Sequence, residues 1–478
     1  MSAATSGSEG EQDQQGLFGE GELPWDAARV PPAQAGGPPR VMSPQRNQVE
    51  LRPLDLESLL AADHPARTVW AFVQALDLRP LYARIKSVAG RGGAPAIDPA
   101  ILVALWLWAT VDGVGSAREV DRLCERDDAY RWICGGVGVN YHSLADFRTA
   151  HEAWLDAQLT RSIASLLDRR LVTLNVVAQD GLRVRAHAKA SSFRRRDKLA
   201  ELHAQALAQV QALKRELAED AGASARRKQA AIERATRERE QRLAQALSTM
   251  DKLERKPLPE AKKPKPSKRR GRGGDDGPPD PGATSKAAPE PRVSTTDSDS
   301  RVMKMADGGF RPAFNAQLAV DAQTQLIAAV ALTNSGSDMG QMSPMHHDVQ
   351  QRYGITPDHW LADGGFTKLQ AIDELTERGT QPVLPPPRSR NPTIDPLAPK
   401  SSDTPAQAQW REFMASGFAK ALCIQRGATV ECANAQLRRR GLSRFNVRGL
   451  VKARAVLLWH ALAHNLMRMR SLNIASAA

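Results

Sequence analysis

The sequence predicts a mixed α/β fold in which helices pack on a central sheet, with a helical insertion inside the sheet region. Apolar residues recur at helical spacing before residue 171, as at Leu155, Leu159 and Ile163. Short β-rich runs then alternate with helical patterns, starting at residue 173 and resuming near residue 302. This order is typical of a helical block followed by an interrupted α/β core.

The helical block and the first strand come before the insertion. Residues 99–112 are apolar on all sides, which predicts a buried helix that ends at a Gly-rich segment. Residues 173–179 favour a short strand that ends in Asp180 and Gly181. Residues 197–255 alternate Leu and Ala with charged residues, which predicts a coiled-coil-like pair of helices with a turn near Gly222.

The second half of the core follows a Pro- and Gly-rich linker. We expect a two-stranded hairpin, a helix, a strand, a helix that starts with the capping-box spacing of Thr367 and Gln370, a strand, a Pro-rich loop and two final helices. These elements occupy residues 314–321, 326–332, 340–353, 359–362, 367 onward, 381–384, 385–410, 418–440 and 450–472.

The patterns divide the chain into six segments. They are a disordered N-terminal tail, a helical N-terminal domain, the first part of the core, the coiled-coil-like insertion, a disordered basic linker, and the remainder of the core with basic C-terminal helices. Their bounds are 1–48, 49–170, 171–196, 197–255, 256–296 and 297–478.

Positive charge is concentrated near the C-terminus and in the linker. The 478 residues carry 66 Lys and Arg against 53 Asp and Glu, a net charge of +13. No acidic residue lies from Cys432 to the end, in sequence that favours helix, so this positive charge is displayed on folded structure. The excess indicates a polyanionic partner. A merely solvated basic face is the other interpretation.

The composition excludes several classes of protein. The longest apolar run has about nine residues, whereas a membrane span needs roughly twenty. The N-terminus is polar and acidic, unlike a signal peptide. The four cysteines show no CxxC spacing for zinc, and no Gly-rich loop for ATP phosphates is present. We therefore expect a reduced, cytoplasmic protein.

Carboxylates follow two of the predicted strands. Asp180 and Asp363 each end an apolar run and each precede Gly, and ligands gather at strand ends in sheets of this kind. Neighbouring carboxylates favour a cation such as Mg²⁺. Glu431 lies later, in a predicted helix with Asn434 and Arg438 on the same face. Alternatively, each Asp-Gly pair is ordinary turn chemistry and Glu431 is a solvated helix residue.

Several motifs in one order resemble the DDE-type transposases of bacterial insertion sequences, which have an RNase H-like catalytic core. The resemblance covers roughly residues 49–471 without the insertion. The motifs are SLADFR at 143–148, QDGLRVRA at 179–186, SSFRRR at 191–196, GFRPAFNAQLAVD at 309–321, LADGGF at 361–366, RGATVE at 426–431, RGLSRFNVRG at 440–449 and ALAHNL at 461–466.

The resemblance implies a catalytic site and its metal. Asp180, Asp363 and Glu431 take the positions of the catalytic, metal-binding carboxylates, which hold two Mg²⁺ ions, with Mn²⁺ as a substitute. Two positions depart from the family pattern, because Cys423 stands where the family has Tyr and Arg438 stands where it has Lys.

The resemblance also implies the partners. These are double-stranded DNA, as the terminal inverted repeats of an element and as target DNA, and further copies of the chain, so we expect a homo-oligomer on nucleoid DNA and no membrane. The helical domain over 49–170 is then a DNA-binding domain. The predicted DNA-binding residues are Arg426, Arg438, Arg439, Arg440, Arg444, Arg448 and Lys452.

The sequence leaves three functions open. The first is a transposase that cleaves DNA strands and transfers them. The second is an inactive or regulatory DNA-binding protein derived from a transposase, which the loss of the Tyr at Cys423 favours. The third is a metal-dependent nuclease that cuts without joining.

Overall fold

The computed structural model describes residues 55–88, 90, 94–219, 226–255, 290–387, 393 and 395–474. The predicted tail over 1–48, the turn near Gly222 and residues 256–289 of the predicted linker lie outside the described residues.

Seven helices form the N-terminal part of the chain that the structure describes. The buried helix predicted over 99–112 is confirmed as α3, which starts at Pro99 after Asp98 accepts a hydrogen bond from the backbone N–H of Ala100. The helices are α1 Pro65–Ala75, α2 Arg79–Tyr82, α3 Pro99–Val111, α4 Ala117–Arg126, α5 Asp128–Cys134, α6 Tyr141–Ala150 and α7 Glu152–Asp168.

The described strands form a six-stranded mixed sheet and a separate two-stranded ribbon. In the sheet, β1 pairs with β5 in antiparallel register and with β7 in parallel register, and β8 extends the sheet beyond β7. Residues 310–313 of β5 pair with β4, and residues 315–320 pair with β6. The strands are β1 Val176–Arg185, β2 Phe193–Arg194, β3 Val293–Ser294, β4 Arg301–Lys304, β5 Phe310–Asp321, β6 Ile327–Thr333, β7 His359–Leu361 and β8 Gln381–Val383.

The insertion consists of two antiparallel helices, α8 Arg196–Glu219 and α9 Arg226–Glu254. Leu199 and Ala206 of α8 are buried in a small separate core with Leu243, Ala246 and Met250 of α9. β2 pairs with β3 across the two ends of the insertion. The predicted linker boundary at residue 296 is therefore corrected, because strand pairing orders Val293–Ser294.

The helices of the second half differ from the predicted ones in two places. The single helix expected over 418–440 is interrupted by a π-helical turn, Gly427–Glu431. The expected capping box does not form, since the Thr367 hydroxyl donates to the carbonyl of Pro385 and Lys368 is the N-cap. The helices are α10 Met342–Tyr353, α11 Leu369–Glu377, α12 Pro405–Ala415, α13 Gly417–Arg426, α14 Cys432–Arg439 and α15 Leu450–Ser471.

The last helix, α15, joins the helical block to the sheet. Its middle is almost wholly buried, and it packs on α3, α6 and α7 on one side and on β6 on the other. Asn465 accepts a hydrogen bond from the backbone N–H of Ile327 and donates to the carbonyl of the same residue, so it fixes the start of β6. The helical block and the sheet consequently share one hydrophobic core. The predicted mixed α/β class, consistent with an RNase H-like core plus helical regions, is confirmed.

Candidate active site

Asp180 lies in the middle of β1, which corrects the prediction that it ends a strand. β1 continues to Arg185 because Leu182 and Val184 alternate with more exposed residues and pack into the core. One oxygen of the Asp180 carboxylate accepts a hydrogen bond from the backbone N–H of the next residue, Gly181, at 2.9 Å.

Gly181 allows close packing against Asp338 and is not part of a turn. It pairs with Gln317 of β5 in regular register. A Cβ at this position would lie 2.2 Å from Oδ1 of Asp338, so any larger residue would require the Asp338 side chain to move. The Asp338 carboxylate accepts hydrogen bonds from Asn315 at 2.6 Å and Gln317 at 2.8 Å, and lies 3.4 Å from the guanidinium of Arg183. Asp338 was not among the predicted site residues, and its contact with Gly181 is the feature that reveals it.

Asp363 lies beside Asp180 at the edge of the neighbouring strand. Ala178 of β1 pairs with Leu361 of β7 in parallel register. Two residues beyond this pair are Asp180 on β1 and Asp363 just after the end of β7, and neighbouring strands are about 4.8 Å apart. Asp363 ends its strand as predicted, and its Oδ1 accepts a hydrogen bond from the backbone N–H of Gly365 at 2.8 Å. The structure therefore brings together two of the three predicted carboxylates.

The environment of Asp180 disfavours its charged form. Burial is the main cause, and with smaller contributions from the negative charges of Asp363 and Asp338 it raises the pKa of Asp180 from 3.8 to about 6. The backbone N–H of Gly181 and the positive charge of Arg426 act in the opposite direction on this pKa. A carboxyl group with a pKa near neutrality in a polar site is a candidate functional group.

Glu431 lies on the turn next to this pair and contacts Arg426. It is the last residue of the π-helical turn, which packs against β1 and β5. Its side chain is 68% exposed, and one carboxylate oxygen lies 3.6 Å from the guanidinium of Arg426. Among the residues that the structure describes, no group of three His, Cys, Asp or Glu side chains is arranged to hold a metal ion.

Asn434 connects the helix of Glu431 to the first carboxylate. Its side-chain amide donates a hydrogen bond to Oδ2 of Asp180 at 2.7 Å. Asn434 is only 9% exposed, and its own Oδ1 has no hydrogen-bond partner within the described part of the chain. Because Asn434 lies one helical turn after Glu431, this contact holds the base of the Glu431 side chain near Asp180.

The predicted DNA-binding residues separate into exposed and buried groups. Arg440 is partly buried, and burial lowers its pKa. Arg426 is largely buried and forms an ion pair with Glu431. Arg438, Arg439, Arg444, Arg448 and Lys452 are exposed and form no ion pair with any residue that the structure describes.

The donor set suits a hard divalent cation. Asp180 and Asp363 supply carboxylate oxygens side by side, and Glu431 lies on the adjoining turn. Mg²⁺ and Mn²⁺ prefer oxygen ligands. A cation between Asp180 and Asp363 would remove the repulsion that contributes to the raised pKa of Asp180. The residues present therefore fit the metal that the family resemblance implies.

Comparison with protein families gives two matches. The family model described as Transposase domain (DUF772) matches residues 54–150, which cover the described helices α1 to α6. The family model described as Transposase DDE domain matches residues 283–466, which include Asp363 and Glu431. The two matched ranges together cover more than half of the chain and occur in the order of the motifs. The chain belongs to the DDE-type transposases of insertion sequences. No curated protein and no solved structure matches it.

Membership of this family confirms the resemblance to DDE-type transposases and establishes the general activity of the protein. The protein is a DNA-transposing enzyme of a family that acts on DNA and generally uses divalent metal ions. Asp180 lies before the residues matched to the DDE domain, because the α8–α9 insertion separates it from the rest of the core. Within the described residues, no helix is both long and apolar enough to cross a membrane.

Proposed function

We propose that this transposase binds the ends of its insertion sequence, cleaves DNA strands there and joins them to target DNA. The observation that carries the proposal is the placement of Asp180 and Asp363 at one level of adjacent parallel strands, with Glu431 on the turn packed against β1. Two carboxylates far apart in sequence lie side by side at one edge of the sheet, and the third lies on the adjoining turn. The pair has a cost in electrostatic repulsion, which favours a functional role.

Asp180, Asp363 and Glu431 would hold divalent metal, with Mg²⁺ as the natural ion and Mn²⁺ as a substitute. Bound metal supplies an activated oxygen nucleophile and stabilises the leaving oxygen. Glu431 completes this set when its exposed side chain rotates away from Arg426. Arg426 is then released to bind a phosphate near the scissile bond.

The reaction is a pair of phosphoryl transfers. In cleavage, a water oxygen forms a bond to the phosphorus, the bond from phosphorus to the 3′ oxygen breaks, and a proton passes from the water to the leaving oxygen. In joining, that 3′-hydroxyl attacks a phosphorus of the target DNA in the same way. Neither step requires a covalent bond between protein and DNA.

The remaining parts of the chain serve DNA recognition and assembly. We propose that the helical domain over 49–170 recognises the terminal inverted repeats, because residues 54–150 match a transposase domain separate from the DDE domain. We propose that the exposed residues among the predicted set contact DNA phosphates on the nucleoid, in the cytoplasm. Two element ends must be joined in one event, which favours a homo-oligomer on double-stranded DNA.

Two observations favour a second candidate function, an inactive or regulatory DNA-binding protein. The Glu431 carboxylate lies 3.6 Å from the guanidinium of Arg426. Cys423 replaces the Tyr of the family pattern, and burial raises the pKa of its thiol, so it is a neutral group. This form of the protein would retain DNA binding and lack cleavage.

One assay separates the candidate functions. Labelled duplexes that carry the ends of the element are incubated with the purified chain and Mg²⁺, and the products are resolved on native and denaturing gels. We expect a shifted complex, cut strands and joined products. A shifted complex alone would indicate the regulatory protein, and cutting without joined products would indicate a nuclease.

A further inference from the structure

A groove of about 340 Å³ opens at the end of β1, a few residues beyond Asp180. Four arginines line it: Arg183 and Arg185 from β1, Arg311 from β5 and Arg438 from the end of α14. Asp307 is the one acidic side chain among the lining residues that the structure describes. The groove is therefore strongly positive.

Two of these arginines are available to a ligand. Arg311 forms an ion pair with Asp307 at 2.6 Å, and Arg183 donates to the carbonyl of Gly336 at 2.9 Å. Arg185 and Arg438 are exposed, and neither forms an ion pair within the described part of the chain. Like charges that converge without a counterion are destabilising unless an anion binds between them.

The backbone fixes the position of the groove relative to Asp180. The N–H of Arg185 donates to the carbonyl of Ser443, and the N–H of Phe445 donates to the carbonyl of Arg185. The segment after α14 thus extends along the end of β1. The side chains of Asp180 and Arg185 point to opposite faces of β1, because five residues separate them. Arg438 lies one helical turn after Asn434, whose amide donates to Asp180, so the groove begins beside the candidate active site.

The positive surface continues beyond the groove along the segment after α14. Arg444, which is exposed, pairs with Arg185 at the backbone. Arg185, Arg438 and Arg444 thus offer more guanidinium groups than a single phosphate needs.

We propose that this groove binds the phosphate backbone of the duplex beside the reacting bond, with Arg185 and Arg438 as the main anchors. The proposal rests on the proposed function and extends it, since it assigns DNA contacts to the end of β1. Arg guanidinium groups bind phosphate through two parallel hydrogen bonds, which suits a fixed backbone position.

The test measures affinity for a fluorescent duplex by anisotropy over a series of salt concentrations. The variants are Arg185→Gln, Arg438→Gln and the two changes combined. Each lost phosphate contact lowers the slope of log K against log salt by about 0.9. We expect the double variant to lose about 2 from the slope and each single variant about 1, for element ends and for random duplexes alike.

Arg237→Gln is the control, since it removes the same charge from an arginine that pairs with Glu233 on α9 and does not line the groove. It should retain the wild-type slope, and circular dichroism should show that all variants fold. Wild-type affinity and slope in the double variant would overturn the proposal. If the wild type itself binds no duplex, the proposed function fails instead.

Discussion

The buried carboxyl group of Asp180 should reduce the stability of the fold at neutral pH. Its pKa of about 6 lies about 2 above the ordinary value of 3.8. Each pKa unit corresponds to about 1.4 kcal/mol between the two protonation states. The ionised group therefore destabilises the folded state by about 3 kcal/mol at pH values above 6.

Asp180→Asn should remove this cost. The new side-chain amide is neutral and has nearly the same shape. Its oxygen can accept from the backbone N–H of Gly181, while its NH₂ group can donate to the unpartnered Oδ1 of Asn434 after the Asn434 amide flips. We therefore expect the variant to be more stable than the wild type by up to about 3 kcal/mol at pH 8.

The sign of the pH dependence follows from a carboxyl pKa that folding raises. The destabilisation is complete above the folded pKa of about 6 and disappears as the pH falls toward the unfolded value of 3.8. The stability difference between Asp180→Asn and the wild type should therefore shrink to less than about 1 kcal/mol at pH 4. Taking the difference cancels the other titrating groups, which the two proteins share.

Urea unfolding at pH 8 and pH 4, followed by circular dichroism, measures this difference. In a gel assay without urea, the Asp180→Asn variant should show no DNA cleavage. Its stability and its activity therefore change in opposite directions. Equal stability at pH 8, or a difference that does not change with pH, would refute the reasoning.

Three further predictions concern the packing around the site and the predicted linker. Asn434→Leu should weaken Mn²⁺ binding, measured by calorimetry, about tenfold or more, because the hydrogen bond that orients the Asp180 carboxylate is lost, whereas Gln436→Leu on the same helix should not. Gly181→Ala should destabilise the fold by about 1–3 kcal/mol in thermal unfolding because its Cβ overlaps Asp338, and a second change, Asp338→Ala, should restore part of the loss. Deletion of residues 260–285 should leave metal-dependent cutting intact on gels, because the sequence predicts a Pro- and Gly-rich linker there, and loss of folding would contradict that prediction.

The spacing of apolar residues was sufficient to predict the helices and strands that are buried along most of their length. The helix over 99–112 and the strands of the hairpin appear within a few residues of their predicted positions because their apolar patterns are continuous. The π-helical turn was not predicted, since its five residues keep a helical composition and the distortion arises where they pack on β1 and β5.

The sequence identified the candidate carboxylates but not the local structure around them. Asp-Gly at 180–181 has the composition of a turn, and the reason for glycine lies in Asp338, a residue far away in the sequence. The sequence around Asn434 does not indicate its contact with Asp180, because only the tertiary fold brings α14 onto β1. Long-range packing of this kind leaves no local pattern in the sequence.

The most direct test of the account is single-turnover cleavage of a labelled element end in Mg²⁺. Asp180→Asn, Asp363→Asn and Glu431→Gln should each raise the barrier by about 4 kcal/mol or more, which slows cleavage at least about a thousandfold. Each should bind the duplex as tightly as the wild type or more tightly, because a negative charge near phosphate is removed. Glu412→Gln, an exposed change on α12, is the control and should cleave at the wild-type rate. Cleavage at the full rate without Asp363, or loss of DNA binding in all three variants, would contradict the assignment.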